Sequence, residues 1–123
     1  MQTIYLLSIF EDLDLCCENT KDRNRALCRL FMDKESIVEF LLKFNSEMIE
    51  SDYKENMDNF KVTSREQAER MIELNGCTYR PNNDVMCECT CFYDFEIINM
   101  QPDGSFKTPL FLYDFHNFQN DFQ

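Results

Sequence analysis

Val85-Met86-Cys87-Glu88-Cys89-Thr90-Cys91-Phe92-Tyr93-Asp94-Phe95-Glu96-Ile97 decides the fold class of this chain. Its odd positions are Val, Cys, Cys, Cys, Tyr, Phe and Ile, while Glu88, Thr90, Asp94 and Glu96 fall between them. Apolar and polar residues alternating with period two make a strand with one face on a core and the other in water. Gln101-Pro102-Asp103-Gly104 follows, with proline preset for a turn and glycine free to take positive φ. Ser105 to Phe115 is a second β-rich run, so Tyr79 to Phe115 reads as a long antiparallel hairpin with a cysteine-lined inner face. A strand from Val85 to Met100 exceeds the usual ~3–10 residues, which predicts a bend or bulge near Cys91 to Tyr93. Pro109 lacks an amide donor and points to an edge or bulge on the return strand.

Working outward, Thr3 to Phe10 (TIYLLSIF) is short, apolar and rich in β-formers, as a buried strand is. Glu11 to Arg25 is polar and reads as a loop or short helical turn anchored by Cys16-Cys17, and Arg25 to Met32 as a second strand. Asp33 is placed to cap a helix spanning roughly residues 34–50, with Ile37, Leu41, Phe44 and Met48 at helical spacing. Phe60 to Thr63 predicts a short strand, and Thr63-Ser64-Arg65-Glu66 a capping box opening a second helix. Asn75-Gly76 ends that helix, with glycine suited to the left-handed position. Phe31-x-Asp33-Lys34-Glu35-x-Ile37 is echoed by Val62-x-Ser64-Arg65-Glu66-x-Ala68, which suggests two strand–helix units. Cys77 to Arg80 reads as a further short strand, and Pro81 to Asp84 as a turn. The tail keeps Phe115, Phe118 and Phe122 among Asn and Gln. The expectation is one α+β domain over residues 1–123, an antiparallel sheet of about four to five strands with two helices on one face.

Twelve phenylalanines supply much of the expected core, and only two glycines and three prolines leave little for long linkers. The 23 acids against 12 bases give a net charge of −11, which repels nucleic acid and anionic membrane and favours basic surfaces. Seven cysteines, an odd number, argue against a closed disulfide framework. Met1 to Phe10 has no positive leader and no small-residue cleavage site, and no run approaches the ~18 apolar residues of a spanning helix. A cytoplasmic protein with reduced thiols and no membrane partner is expected.

Ile4-Tyr5-Leu6-Leu7-Ser8-Ile9-Phe10-Glu11-Asp12, Phe60 to Ala68, Tyr93-Asp94-Phe95-Glu96-Ile97-Ile98 and Leu112-Tyr113-Asp114-Phe115 cover roughly half of the chain. In order and type they resemble small uncharacterised proteins from bacterial and phage genomes. Those proteins open on a strand of this kind, continue with a capped helix and close on an aromatic hairpin. The segment from about Cys17 to Asp58 is an addition to that pattern. In general character the chain also resembles the anti-CRISPR and other anti-defence inhibitors of phages. That resemblance implies a protein-binding inhibitor rather than an enzyme, and it carries over no catalytic residues.

Cys87, Cys89 and Cys91 share one strand face, with neighbouring thiols ~6.6 Å apart. A tetrahedral zinc needs its sulfurs within about 4 Å of each other, so only a bulged strand would close the site. The expectation is that all three are core residues and that no metal or cofactor is bound; a metal-binding or redox module is the alternative. Glu11, Asp12, Asp14 and Glu18 surround Cys16-Cys17 and would raise a thiol pKa. His116 is the only histidine, which leaves little for a Cys–His pair. The charge distribution carries more. Residues 47–58 hold five acids and one base, and residues 81–123 hold seven acids and one base, Lys107. Lys21, Arg23, Arg25, Arg29 and Lys34 gather elsewhere. Two clusters are the candidate partner-binding residues: Glu88, Asp94 and Glu96 on the hairpin, and Glu47, Glu50, Asp52 and Glu55 near the first helix's end. Same-face residues on a strand are ~6.6 Å apart, about twice the per-strand charge rise of DNA, so such a face can imitate a phosphate row. The expected function is an acidic, non-enzymatic inhibitor that occupies a basic nucleic-acid-binding protein, such as a CRISPR effector, without binding nucleic acid itself.

Overall fold

The sheet is built on β4 (Thr90–Met100), whose full length pairs antiparallel with β1 (Ile4–Leu15), from Ile4 opposite Met100 to Asp14 opposite Thr90. A computed structural model describes residues 3–15, 20–81, 90–109 and 111–120. β1 pairs antiparallel with β2 (Thr20–Phe31), and on its other edge β4 meets β3 (Gly76–Tyr79) and β5 (Phe106–Lys107). β6 (Tyr113–Asp114) lies parallel to β3, which gives a six-stranded, mostly antiparallel sheet in the order β2-β1-β4-β3-β6 with β5 against β4. With the helices, this is an α+β architecture.

The long hairpin is therefore β1–β2, and two expectations are corrected by it. Glu11 to Arg25 is not a loop: Glu11 to Leu15 and Thr20 to Arg25 extend the pairing. The inner row of β1 reads Tyr5, Leu7, Ile9, Glu11, Leu13, all buried, and a single carboxylate in that row hides the alternation. Nor do residues 105–115 form a full return strand. β3 already occupies β4 from Tyr93 to Glu96, so only Phe106 and Lys107 find an open stretch, opposite Asn99 and Met100. Pro109 lies between β5 and β6, outside both. β4 keeps one register with β1 from Thr90 to Met100, so Cys91 to Tyr93 carries no bulge. The bulge lies instead on β2, where Ala26 is the extra residue between Arg25 and Leu27. The turn at Gln101 to Gly104 forms as read, with Gly104 at φ +91° and its amide donating to the Gln101 carbonyl at 2.9 Å.

α1 (Lys34–Lys43) starts as predicted: the Asp33 carboxylate accepts from the Ser36 amide at 2.8 Å. It stops seven residues short of the predicted end, because Asn45 turns extended and its side chain accepts from the Glu47 amide, opening a 3-10 helix at Ser46–Met48. A second 3-10 helix follows at Lys54–Met57. Phe60 to Thr63 joins no strand, although Phe60 and Val62 are buried. α2 (Arg65–Glu73) is capped by Ser64, whose hydroxyl accepts from the Gln67 amide, while the Gln67 side chain returns to the Thr63 amide at 2.7 Å. The box thus sits one residue later than read. At the helix end the left-handed residue is Asn75, φ +60°. Gly76, φ +117°, is needed for a second reason: a Cβ there would lie 1.6 Å from the Phe95 carbonyl oxygen.

Phe44, Phe60, Tyr79, Phe95 and Phe115 meet between the helices and the inner face of the sheet. Phe60 stacks on Phe95 with centroids 4.4 Å apart, and Phe44 meets Phe95 edge-on at 5.7 Å. Each such pair adds about 0.5–1.5 kcal/mol beyond its burial. The tail docks through Phe115, the first residue of α3 (Phe115–Asn120), which packs 4.4 Å from Phe60. The outer face of the sheet is different. Leu30, Met100 and Phe106 are exposed there, and Ile4, Leu6, Phe10 and Ile98 are half-buried.

Candidate functional site

The two predicted acidic clusters fall on opposite faces of the sheet. Asp94 and Glu96 stand on the outer face of β4, beside Asp12 on β1 and Arg23 on β2. Strand pairing brings these four together, and the guanidinium of Arg23 lies 3.6 Å from Asp12, 3.5 Å from Asp94 and 3.9 Å from Glu96. Arg23 is also seated 4.2 Å over the Phe10 ring, and Asp94 accepts from the Thr78 hydroxyl at 2.8 Å. One cation thus serves three carboxylates. Partial burial, and then the neighbouring Asp94 charge, push the Asp12 carboxyl above the usual range, with Arg23 pulling the other way. Glu88 lies outside the described residues.

Glu47, Glu50, Asp52 and Glu55 lie on an acidic shelf formed by the two 3-10 helices and the chain between them, beside the far end of the β1–β2 hairpin. All four are exposed. Glu47 pairs with Lys54 at 2.9 Å and remains 77 % exposed, while Glu50, Asp52 and Glu55 have no ion pair among the described residues. Between shelf and hairpin runs an open groove of about 710 Å³. Its walls bring in Asp22 from β2 and Glu11 from β1, so that four carboxylates, with Glu50 and Asp52, face one ammonium, Lys54.

Glu11 anchors the shelf. It is buried on the inner face and accepts hydrogen bonds from the Ser51 hydroxyl and, at 2.8 Å, from the Tyr93 hydroxyl. The phenol oxygen also lies 2.8 Å from the Tyr53 carbonyl oxygen, and the Ser51 hydroxyl accepts from the Tyr53 amide at 3.0 Å. Burial, and then the adjoining Cys91 and Glu11, hold the Tyr93 phenol well above its ordinary range, so it remains a neutral donor. A second tie is the Glu50 amide, which donates to the Ala26 carbonyl at the β2 bulge at 2.9 Å. Shelf and sheet are therefore held by hydrogen bonds from β4, β1 and β2. Sequence reasoning missed Glu11, Asp22, Ser51, Tyr53 and Tyr93 as parts of one surface. Its available signal was Glu11, a lone acid in the i, i+2 row that runs from Tyr5 to Leu13.

Of the cysteine triplet, Cys91 is described and is buried on the inner face, where desolvation raises its thiol pKa; Cys87 and Cys89 lie outside the described residues, as do Cys16 and Cys17. Cys77 is buried too, and its thiol is likewise pushed up by burial. Among the described residues no three His, Cys, Asp or Glu side chains are grouped to hold a metal, and no helix is long and apolar enough to cross a membrane. His116 is exposed, its Nε2 lying 3.0 Å from the Arg80 carbonyl oxygen. Comparison of the chain with protein-family models, curated proteins and solved structures finds no match.

Proposed function

We propose that this protein is a cytoplasmic, non-enzymatic inhibitor that binds a basic protein surface through its acidic shelf. The observation that supports this reading is the excess there of exposed carboxylates without an ion pair among the described residues: Asp22, Glu50, Asp52 and Glu55 against one lysine, itself engaged by Glu47. Charges left unpaired on a surface held rigidly to the sheet lose little on meeting a cationic groove and steer its approach. The partner class is a nucleic-acid-binding protein whose Lys and Arg otherwise hold phosphates, with a CRISPR effector as the first candidate. Asp94 and Glu96 contribute less, because Arg23 offsets part of their charge.

Capture of host nucleic-acid enzymes on the immobilised protein, followed by binding at rising salt with and without nucleic acid, tests the reading. The expected partner binds fast at low salt, loses affinity as ionic strength rises, and releases nucleic acid on binding. Salt-independent binding, or a ternary complex that still holds nucleic acid, would overturn it.

A further inference from the structure

The outer face of the sheet has an apolar half and a charged half, and neither is explained by the acidic shelf on the other side. The paired rows Leu30–Leu6–Ile98 and Ile4–Met100–Phe106 cross the strands as a continuous apolar band. Leu30 is 57 % exposed and Phe106 60 %, and among the described residues nothing covers them. Beyond the band, charge is arranged by side: Arg23 and Arg25 stand on β2, Asp94 and Glu96 on β4, with β1 between them. Arg25 has no ion pair among the described residues and rests 5.1 Å from the Phe10 ring.

We propose that this face docks a second copy of the chain, sheet on sheet, about a two-fold axis running along β1. The charge pattern singles out that occupant and that axis. A two-fold along β1 exchanges the β2 side for the β4 side, so Arg25 of each copy meets Asp94 of the other, and Leu30 meets Ile98. Leu6 and Phe10 fall on the axis and meet themselves. Two meetings are unfavourable: Asp12 with its own copy, where an Arg23 from each chain lies alongside, and Arg23 with Phe92, over whose ring Arg80 is seated at 5.4 Å. The area is adequate: four strands ~4.8 Å apart, over the ~3.4 Å per residue from Ile4 to Asp12, give a flat footprint of about 590 Å². Side-chain relief carries the accessible area from there toward the ~800 Å² per partner of a stable complex. Facing sheets in proteins pack at ~10 Å with strands within about 30° of each other, which keeps these rows opposed. Edge-to-edge pairing through β2 is disfavoured by the Ala26 bulge, whose carbonyl is already taken by the Glu50 amide. The resulting dimer would display its two acidic shelves outward, on opposite sides.

Sedimentation equilibrium across the micromolar range tests the proposal. The wild-type chain should move from 14.8 kDa toward twice that mass as concentration rises. Leu30→Asp, at a position already exposed in the single chain, should keep the circular dichroism spectrum and weaken the dimer at least tenfold. Arg25→Glu and Asp94→Lys should each be monomeric alone and form a heterodimer when mixed, because only the mixture restores opposite charges at both contacts. If Asp94→Lys fails to fold, Leu30→Asp and Arg25→Glu, both at exposed positions, carry the test on their own. A single copy at every concentration would overturn the proposal, as would a dimer indifferent to Leu30→Asp, or charge variants that fail to pair when mixed.

Discussion

Asp94 and Glu96 on β4 and Glu50 and Asp52 on the shelf are the same kinds of residue in equal number, yet the fold treats them differently. The β4 pair shares a crowded sheet face in which Arg23 reaches both carboxylates and Asp12 as well, and the Asp94 side chain is left only 18 % exposed. The shelf pair is exposed with no ion pair among the described residues, on chain tied to the sheet by the Ser51–Glu11, Tyr93–Tyr53 and Glu50–Ala26 hydrogen bonds. The lesson is that an acid count along a chain does not locate an acidic surface. What matters is whether pairing across strands brings a cation to the same place, and β2 brings one to β4 but not to the shelf.

The sharpest way to break this contrast is to loosen the shelf from below. Tyr93→Phe removes the buried hydroxyl that donates to Glu11 and lies against the Tyr53 carbonyl, and should cost about 1–3 kcal/mol in chemical denaturation. An unchanged midpoint would show that the shelf is not held through β4. Next in size is Arg23→Met, which keeps the apolar stem over Phe10 and leaves three carboxylates without their cation. Because the groups are partly exposed, the loss should be about 1 kcal/mol, and it should shrink at high salt. A loss that persisted in high salt would place the role of Arg23 in packing.

Smaller still is Asp12→Asn. The folded-state pKa of Asp12 is raised, so its charge opposes folding once pH exceeds that value, and the penalty vanishes below the ordinary aspartate range, where both states are protonated. The substitution should therefore raise the melting temperature slightly at neutral pH and leave it unchanged in acid. A fall at neutral pH would mean that attraction to Arg23 outweighs burial and Asp94. Asp33→Ala, far from both clusters, should lower the melting temperature by a few degrees through loss of the α1 cap, whereas Glu39→Ala on the exposed side of α1 should leave it unmoved. Equal effects would show that the cap contributes nothing.

The α+β class, the Asp33 cap, the start of α2 and the alternation of Cys91, Tyr93, Phe95 and Ile97 were legible because each rests on local pattern or local hydrogen bonding. What was not legible depends on contacts distant in sequence. Glu11 reads from the sequence as the first residue of a polar loop, since its partners Ser51 and Tyr93 lie 40 and 82 residues away. The return strand after Gly104 looked long because nothing local reveals that β3 already holds that edge of β4. Likewise Asp94 and Glu96 looked like a free acidic face, and Asp22 looked unremarkable, until β2 placed Arg23 beside the first pair and Asp22 beside the shelf.

Charge reversal of each cluster, read as affinity for the captured basic partner at low salt, tests the central claim most directly. Glu50→Lys with Asp52→Lys should weaken binding at least tenfold, about 1.4 kcal/mol, with the circular dichroism spectrum unchanged. Asp94→Lys with Glu96→Lys should weaken it less, since Arg23 already offsets part of those charges. The opposite ranking, with the β4 pair decisive and the shelf pair silent, would contradict the account.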